Sequence, residues 1–77
     1  MGEPVKILSS QRINSVTRYH LPAGWYIERA PSGWNDPYPF TVWHQDRANR
    51  AVYRGGANNL DDCLALADAL AKRLSSQ

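Results

Sequence analysis

The side chains able to do chemistry are few and scattered. His20 and His44 are the only histidines, and neither has a second ligand at the short spacing that a zinc or transition-metal site uses. His44 closes an apolar run beside a turn, where a rim position is expected. Cys63 is the single cysteine, so it has no intrachain disulfide partner and cannot build a structural metal site alone. It falls on the apolar face of the C-terminal helix read below, which favours a small buried residue over a reactive thiol needing an electropositive, accessible setting. Glu28 has no nearby carboxylate with which to share acid–base work. Asp61 and Asp62 are explained by the start of a helix, where the positive end of the dipole favours carboxylates. Gly55-Gly56 is too short to cradle a phosphate and reads as a turn. No catalytic, cofactor-binding or metal-binding residue is therefore assigned, and a non-enzyme is expected.

Aromatic residues and arginines are the more informative types. Tyr26, Trp43 and Tyr53 each lie in a short run rich in β-formers, and Trp34 sits between Pro31 and Pro37, beside Gly33. Tryptophan and arginine are the types that most often dominate binding energy at interfaces. Seven arginines against two lysines fit either phosphate binding or a genome-wide codon bias. A net charge of +2 is too small to announce nucleic acid by itself.

The elements that position these residues can be read in turn. Residues 55–74 carry the clearest pattern. Asn58 or Asn59 is placed to cap a helix. Lys72 and Arg73 sit where its last turn favours cations, and Asp68 precedes Lys72 by four residues. At 100° per residue, Leu60, Cys63, Leu64, Ala67, Leu70, Ala71 and Leu74 share one face, with Leu66 at its edge. Upstream, Trp25–Arg29, Phe40–His44 and Ala51–Arg54 read as strands. Turns fall at Leu21–Gly24 and Asp46–Asn49, with a longer loop over 31–37. Residues 1–20 lack a firm period. They are read as an N-terminal arm, as an edge strand, or as a flap folded over the sheet.

The resulting fold class is α+β: an antiparallel sheet of three strands, or four with an edge strand from 1–20, packed against one C-terminal α-helix in the order β-β-β-α. One domain spans 1–77, with the sheet in 21–56 and the helix in 58–75. A chain of 77 residues, 43% hydrophobic and 21% charged, is globular but close to the lower size limit for a self-sufficient core. No apolar run suggests a signal peptide or membrane span, and a cytoplasmic setting is expected.

Strand pleating separates the side chains into two sets. Trp25, Ile27, Phe40, Val42 and Val52 form the more apolar set, expected beneath the helix. Tyr26, Glu28, Thr41, Trp43, Gln45, Ala51 and Tyr53 form the other, an open face with a ring from each strand and no arginine. Such a patch suits a contact surface.

In element order the chain resembles plant AP2-type DNA-binding domains and the arm-binding domains of tyrosine recombinases. The likeness covers about residues 24–74. It rests on Gly24-Trp25-Tyr26 opening the first strand and on Gly55-Gly56 leading through an Asn cap into an alanine-rich helix. The resemblance implies major-groove binding through arginines and aromatics of the sheet. The expected open face departs from that pattern, because Arg29 and Arg54 have the other parity and Arg47 and Arg50 border a turn.

A protein partner is thus the first expectation: an adaptor, an accessory subunit, or an inhibitor of host machinery in the style of small phage and mobile-element proteins. Contacts would come from Tyr26, Trp34, Trp43 and Tyr53, with orientation from Arg47, Arg50 and Arg54. The alternative is nucleic acid, with those arginines, Arg12 and Arg18 on phosphates and the rings stacked on bases. A homodimer joined through open faces or strand edges is a third arrangement. No membrane partner is expected.

Overall fold

A computed structural model describes residues 6–30 and 38–75. Five antiparallel strands form one sheet in simple sequential order: β1 (Ser9–Ile13), β2 (Val16–His20), β3 (Trp25–Arg29), β4 (Phe40–Gln45) and β5 (Ala51–Ala57). One helix, α1 (Leu60–Ser75), follows. The α+β class agrees with the sequence reading, but the sheet has five strands where three or four were expected.

Both additional strands come from the stretch without a clear period. β1 and β2 form a hairpin that widens the sheet beside β3, so residues 9–20 do not fold across it as a flap. Asn14 makes the turn with φ 56°, a conformation that asparagine tolerates better than most residues. Every residue of β1 is exposed, as befits an edge strand with no helix against it. Its sequence, Ser-Ser-Gln-Arg-Ile, therefore needs no apolar alternation.

The core lies between α1 and the β3–β5 half of the sheet. Ile27 and Val42, paired across β3 and β4, are both 0% exposed and meet Cys63 and Ala67 of the helix. The small side chains at 63 and 67 let the helix lie close. Leu60, Leu64, Leu66, Leu70 and Ala71 pack around them. Leu74, expected on this face, is 39% exposed, because it lies in the last turn of α1, beyond the packed leucines. Asn59 is the N-cap: its Oδ1 accepts from the Asp62 amide at 2.8 Å, and its Nδ2 donates to the Asp62 carboxylate at 3.0 Å. The expected Asp68–Lys72 pair forms at 3.0 Å.

β5 was expected to end at Arg54 but continues through Gly55 and Gly56 to Ala57. The glycines serve close packing as well as a change of direction. Gly55 has φ 150°, and a Cβ there would stand 2.9 Å from Leu66 Cδ2; one on Gly56 would stand 2.6 Å from the Tyr38 ring. A register shift between Val42 and Trp43 leaves Arg54 without a residue opposite it, as in a β-bulge.

His44, expected at the rim, is half-buried. Strand pairing sets it beside Trp25, with ring centroids 4.3 Å apart and planes tilted 25°. Its Nδ1 is buried and makes no hydrogen bond among the described residues.

Candidate interaction surface

Pairing carries one row of residues across the whole sheet on the side away from the helix. Ser9 opposes His20, His20 opposes Tyr26, Tyr26 opposes Trp43, and Trp43 opposes Tyr53. Directly opposed side chains in antiparallel strands point to the same face, with Cβ atoms about 4.5–5.5 Å apart. Four rings are thereby brought into line.

The rings hold one another. Tyr26 and Trp43 lie nearly parallel, 7° apart with centroids at 6.4 Å. Tyr53 meets Trp43 edge-on at 5.4 Å and 75°. His20 tilts by 45° against Tyr26 at 6.5 Å. Offset and edge-to-face arrangements suit the aromatic quadrupole and contribute about 0.5–1.5 kcal/mol per pair. Trp43 has a second anchor, its Nε1–H donating to Thr41 Oγ1 at 2.9 Å. Thr41 is buried although it belongs to the open face. Tyr53 is 46% exposed, while Tyr26 and Trp43 are half-buried.

The neighbouring row is polar. Gln11, Arg18, Glu28 and Thr41 follow one another across β1 to β4. Arg18 donates to one Glu28 oxygen from Nε at 3.1 Å and Nη2 at 2.7 Å. Its guanidinium also lies over the Tyr26 ring at 4.6 Å, a cation–π contact. The expectation of a face without arginine is therefore incorrect, and Glu28, for which no carboxylate partner was expected, is held by that arginine. Arg18 stands there because residues 16–20 form β2. Burial pushes the Tyr26 hydroxyl pKa above its ordinary value; Arg18 opposes that shift and Glu28 adds to it.

The structure brings together Tyr26, Trp43 and Tyr53 as expected, and adds Arg18 and His20. The alternation Val16, Arg18, His20 carried that signal, but only once the stretch is recognised as a strand. Arg47 and Arg50 belong to the β4–β5 turn, and Arg54 to the bulge; all three are exposed. That turn is organised by Asp46, whose Oδ1 accepts from the Ala48 and Arg50 amides, each at 2.9 Å. Arg50 lies 3.7 Å from the same carboxylate with its side chain 81% exposed, a weak tether. Trp34 falls outside the described residues.

Cys63 lies on the other side of the sheet, fully buried under α1. Burial pushes its thiol pKa up, opposed by a backbone hydrogen bond from Ala57 and reinforced by Asp62. It is built as a core residue, without the depressed pKa of a nucleophile.

Among the described residues, no helix is long and apolar enough to cross a membrane. No protein-family model, no curated protein and no solved structure matches the chain.

Proposed function

We propose that this is a small non-enzymatic binding protein that docks on a protein partner through the aromatic row of its open sheet face. It would serve as an adaptor, an accessory subunit or an inhibitor of host machinery. One observation carries the reading. Three rings from three strands are held in fixed mutual geometry on the face away from the helix, beside an arginine already matched to Glu28. Rings that support one another lose little freedom on binding, which favours them as anchors. An arginine held by a carboxylate must give up that partner before it can take a phosphate. The face is therefore aromatic and locally neutral, better suited to a protein surface than to a polyanion.

A second reading, nucleic-acid binding, draws on Arg47, Arg50 and Arg54. Arg47 and Arg50 lie in the turn that leads to Tyr53, and Arg54 follows it in the bulge; all three are exposed. Phosphates there would place bases near the rings, in keeping with the resemblance to sheet-based DNA-binding domains.

Binding to generic duplex and single-stranded DNA and RNA, at low and at physiological salt, separates the two. The protein-partner reading expects no retention at either salt concentration. It further expects partner capture that survives physiological salt and is lost in Trp43→Ala. Affinity for DNA or RNA that falls steeply with salt and depends on Arg47, Arg50 and Arg54 would reverse the choice.

A further inference from the structure

The helix packs on β3–β5, and beyond Tyr19, which reaches the core, the β1–β2 half of the same sheet side is left open. There the register builds a second row: Arg12 opposes Thr17, Thr17 opposes Arg29, and Arg29 opposes Phe40. Two arginines thus stand on one face with a threonine between them. At about 4.8 Å per strand their Cα atoms are about 10 Å apart, close enough for long side chains to converge on one group. Ser15, from the β1–β2 turn, completes a recess of about 290 Å³ lined by Arg12, Ser15, Thr17, Arg29 and Ala30.

The charge in this recess is unbalanced. Arg18 is paired with Glu28 and Arg50 with Asp46, but among the described residues no carboxylate lines the recess. Among the described residues neither Arg12 nor Arg29 makes an ion pair. Arg29 lies over the Phe40 ring, 5.8 Å from its centroid. The Arg29 N–H groups make no side-chain hydrogen bond among the described residues. Two forked donors and two hydroxyls thus surround one concavity.

We propose that this recess binds a phosphomonoester group, clasped between Arg12 and Arg29 with the Ser15 and Thr17 hydroxyls donating to its oxygens. Two guanidinium charges match a phosphoryl dianion, and their forks suit its tetrahedral oxygens. A carboxylate carries one charge and is satisfied by one fork. A nucleic-acid diester also carries one charge, and strand binding needs a continuous basic track, where this is a single pocket. The recess and the aromatic row lie on opposite sides of the sheet, so either can fail without the other. The phosphomonoester could belong to a small molecule or to a phosphorylated residue of a partner protein.

The test is an NMR titration of the full 77-residue chain at constant ionic strength. The probes are inorganic phosphate, a phosphoserine peptide and a short single-stranded oligonucleotide, with chloride as control. Saturable shifts at Arg12, Ser15, Thr17 and Arg29 are expected with phosphate, at a Kd on the order of 1 mM or tighter. Arg12→Gln, in an exposed edge strand, should keep the native spectrum and weaken binding by about tenfold or more. Arg50→Gln should leave it unchanged. A phosphoserine peptide that binds more tightly than phosphate supports a protein-borne group; equal binding supports a free one. Shifts that do not saturate, that chloride reproduces, or that persist in Arg12→Gln would overturn the proposal. Saturation by the oligonucleotide without saturation by phosphate would overturn it as well.

Discussion

Ile27 and Val42 face the helix, whereas Tyr26 and Trp43 face away from it, one residue along the same two strands. Both pairs are directly opposed in the β3–β4 ladder. The first pair is wholly buried and gains its free energy from water excluded by Cys63, Ala67 and the surrounding leucines. The second pair remains half-exposed, supported by other rings and by Thr41. One strand pair thus serves two ends. Its helix side holds the domain together, and its outer side presents an ordered aromatic surface that folding does not consume.

The largest expected effect comes from breaking the covered side. Ile27→Ala should cost about 2–5 kcal/mol, enough to leave so small a domain largely unfolded, as urea denaturation followed by circular dichroism would register. On the open side, Trp43→Ala loses two ring pairs and the Thr41 contact and should cost about 1.5–4 kcal/mol, while leaving a cooperative transition. Asn59→Ala removes the reciprocal cap with Asp62 and should cost about 1 kcal/mol, seen as lower helix stability and faster amide exchange over residues 60–63. Glu28→Gln should cost less than about 1 kcal/mol, because the Arg18 pair is partly solvated. Its sharper readout is a new affinity for polyanions, since Arg18 is then released.

The two sides also differ in what alkaline pH should do. Cys63 and Tyr26 both have pKa values raised by burial. In each case the unfolded chain gives up its proton first. The stabilisation is complete below the unfolded-state values, about 8.5 for Cys and 10 for Tyr, and is lost as pH rises through the higher folded-state values. Stability should therefore fall above about pH 8.5. Cys63→Ala should flatten the first part of that decline and Tyr26→Phe the second, measurable as unfolding midpoints across alkaline buffers.

What could be read beforehand follows from the same contrast. Strands with one face against a core advertise it: Trp-Tyr-Ile-Glu-Arg and Phe-Thr-Val-Trp-His alternate, and the side expected to face the helix does so. The helix is equally legible from its cap, terminal charges and leucine spacing. β1 and β2 were not, because β1 is exposed throughout and β2 gives only Tyr19 to the core, so neither needs apolar alternation, and their Asn14-Ser15 turn lacks a glycine. Missing that hairpin concealed Arg18 and His20 on one face and the Arg12–Thr17–Arg29 row on the other. Gly55-Gly56 misled for a different reason. A pair usually read as a stop is here the part of β5 that Leu66 and Tyr38 approach most closely.

The most direct test of the division between the two sides is Trp43→Ala measured twice, by urea unfolding and by partner capture from cell lysate at physiological salt. The account predicts an unfolding transition that stays cooperative at a lower midpoint, together with loss of a partner that the unaltered protein retains. Collapse of the fold would make Trp43 a core residue, and undiminished capture would place the contact surface elsewhere; either result contradicts it.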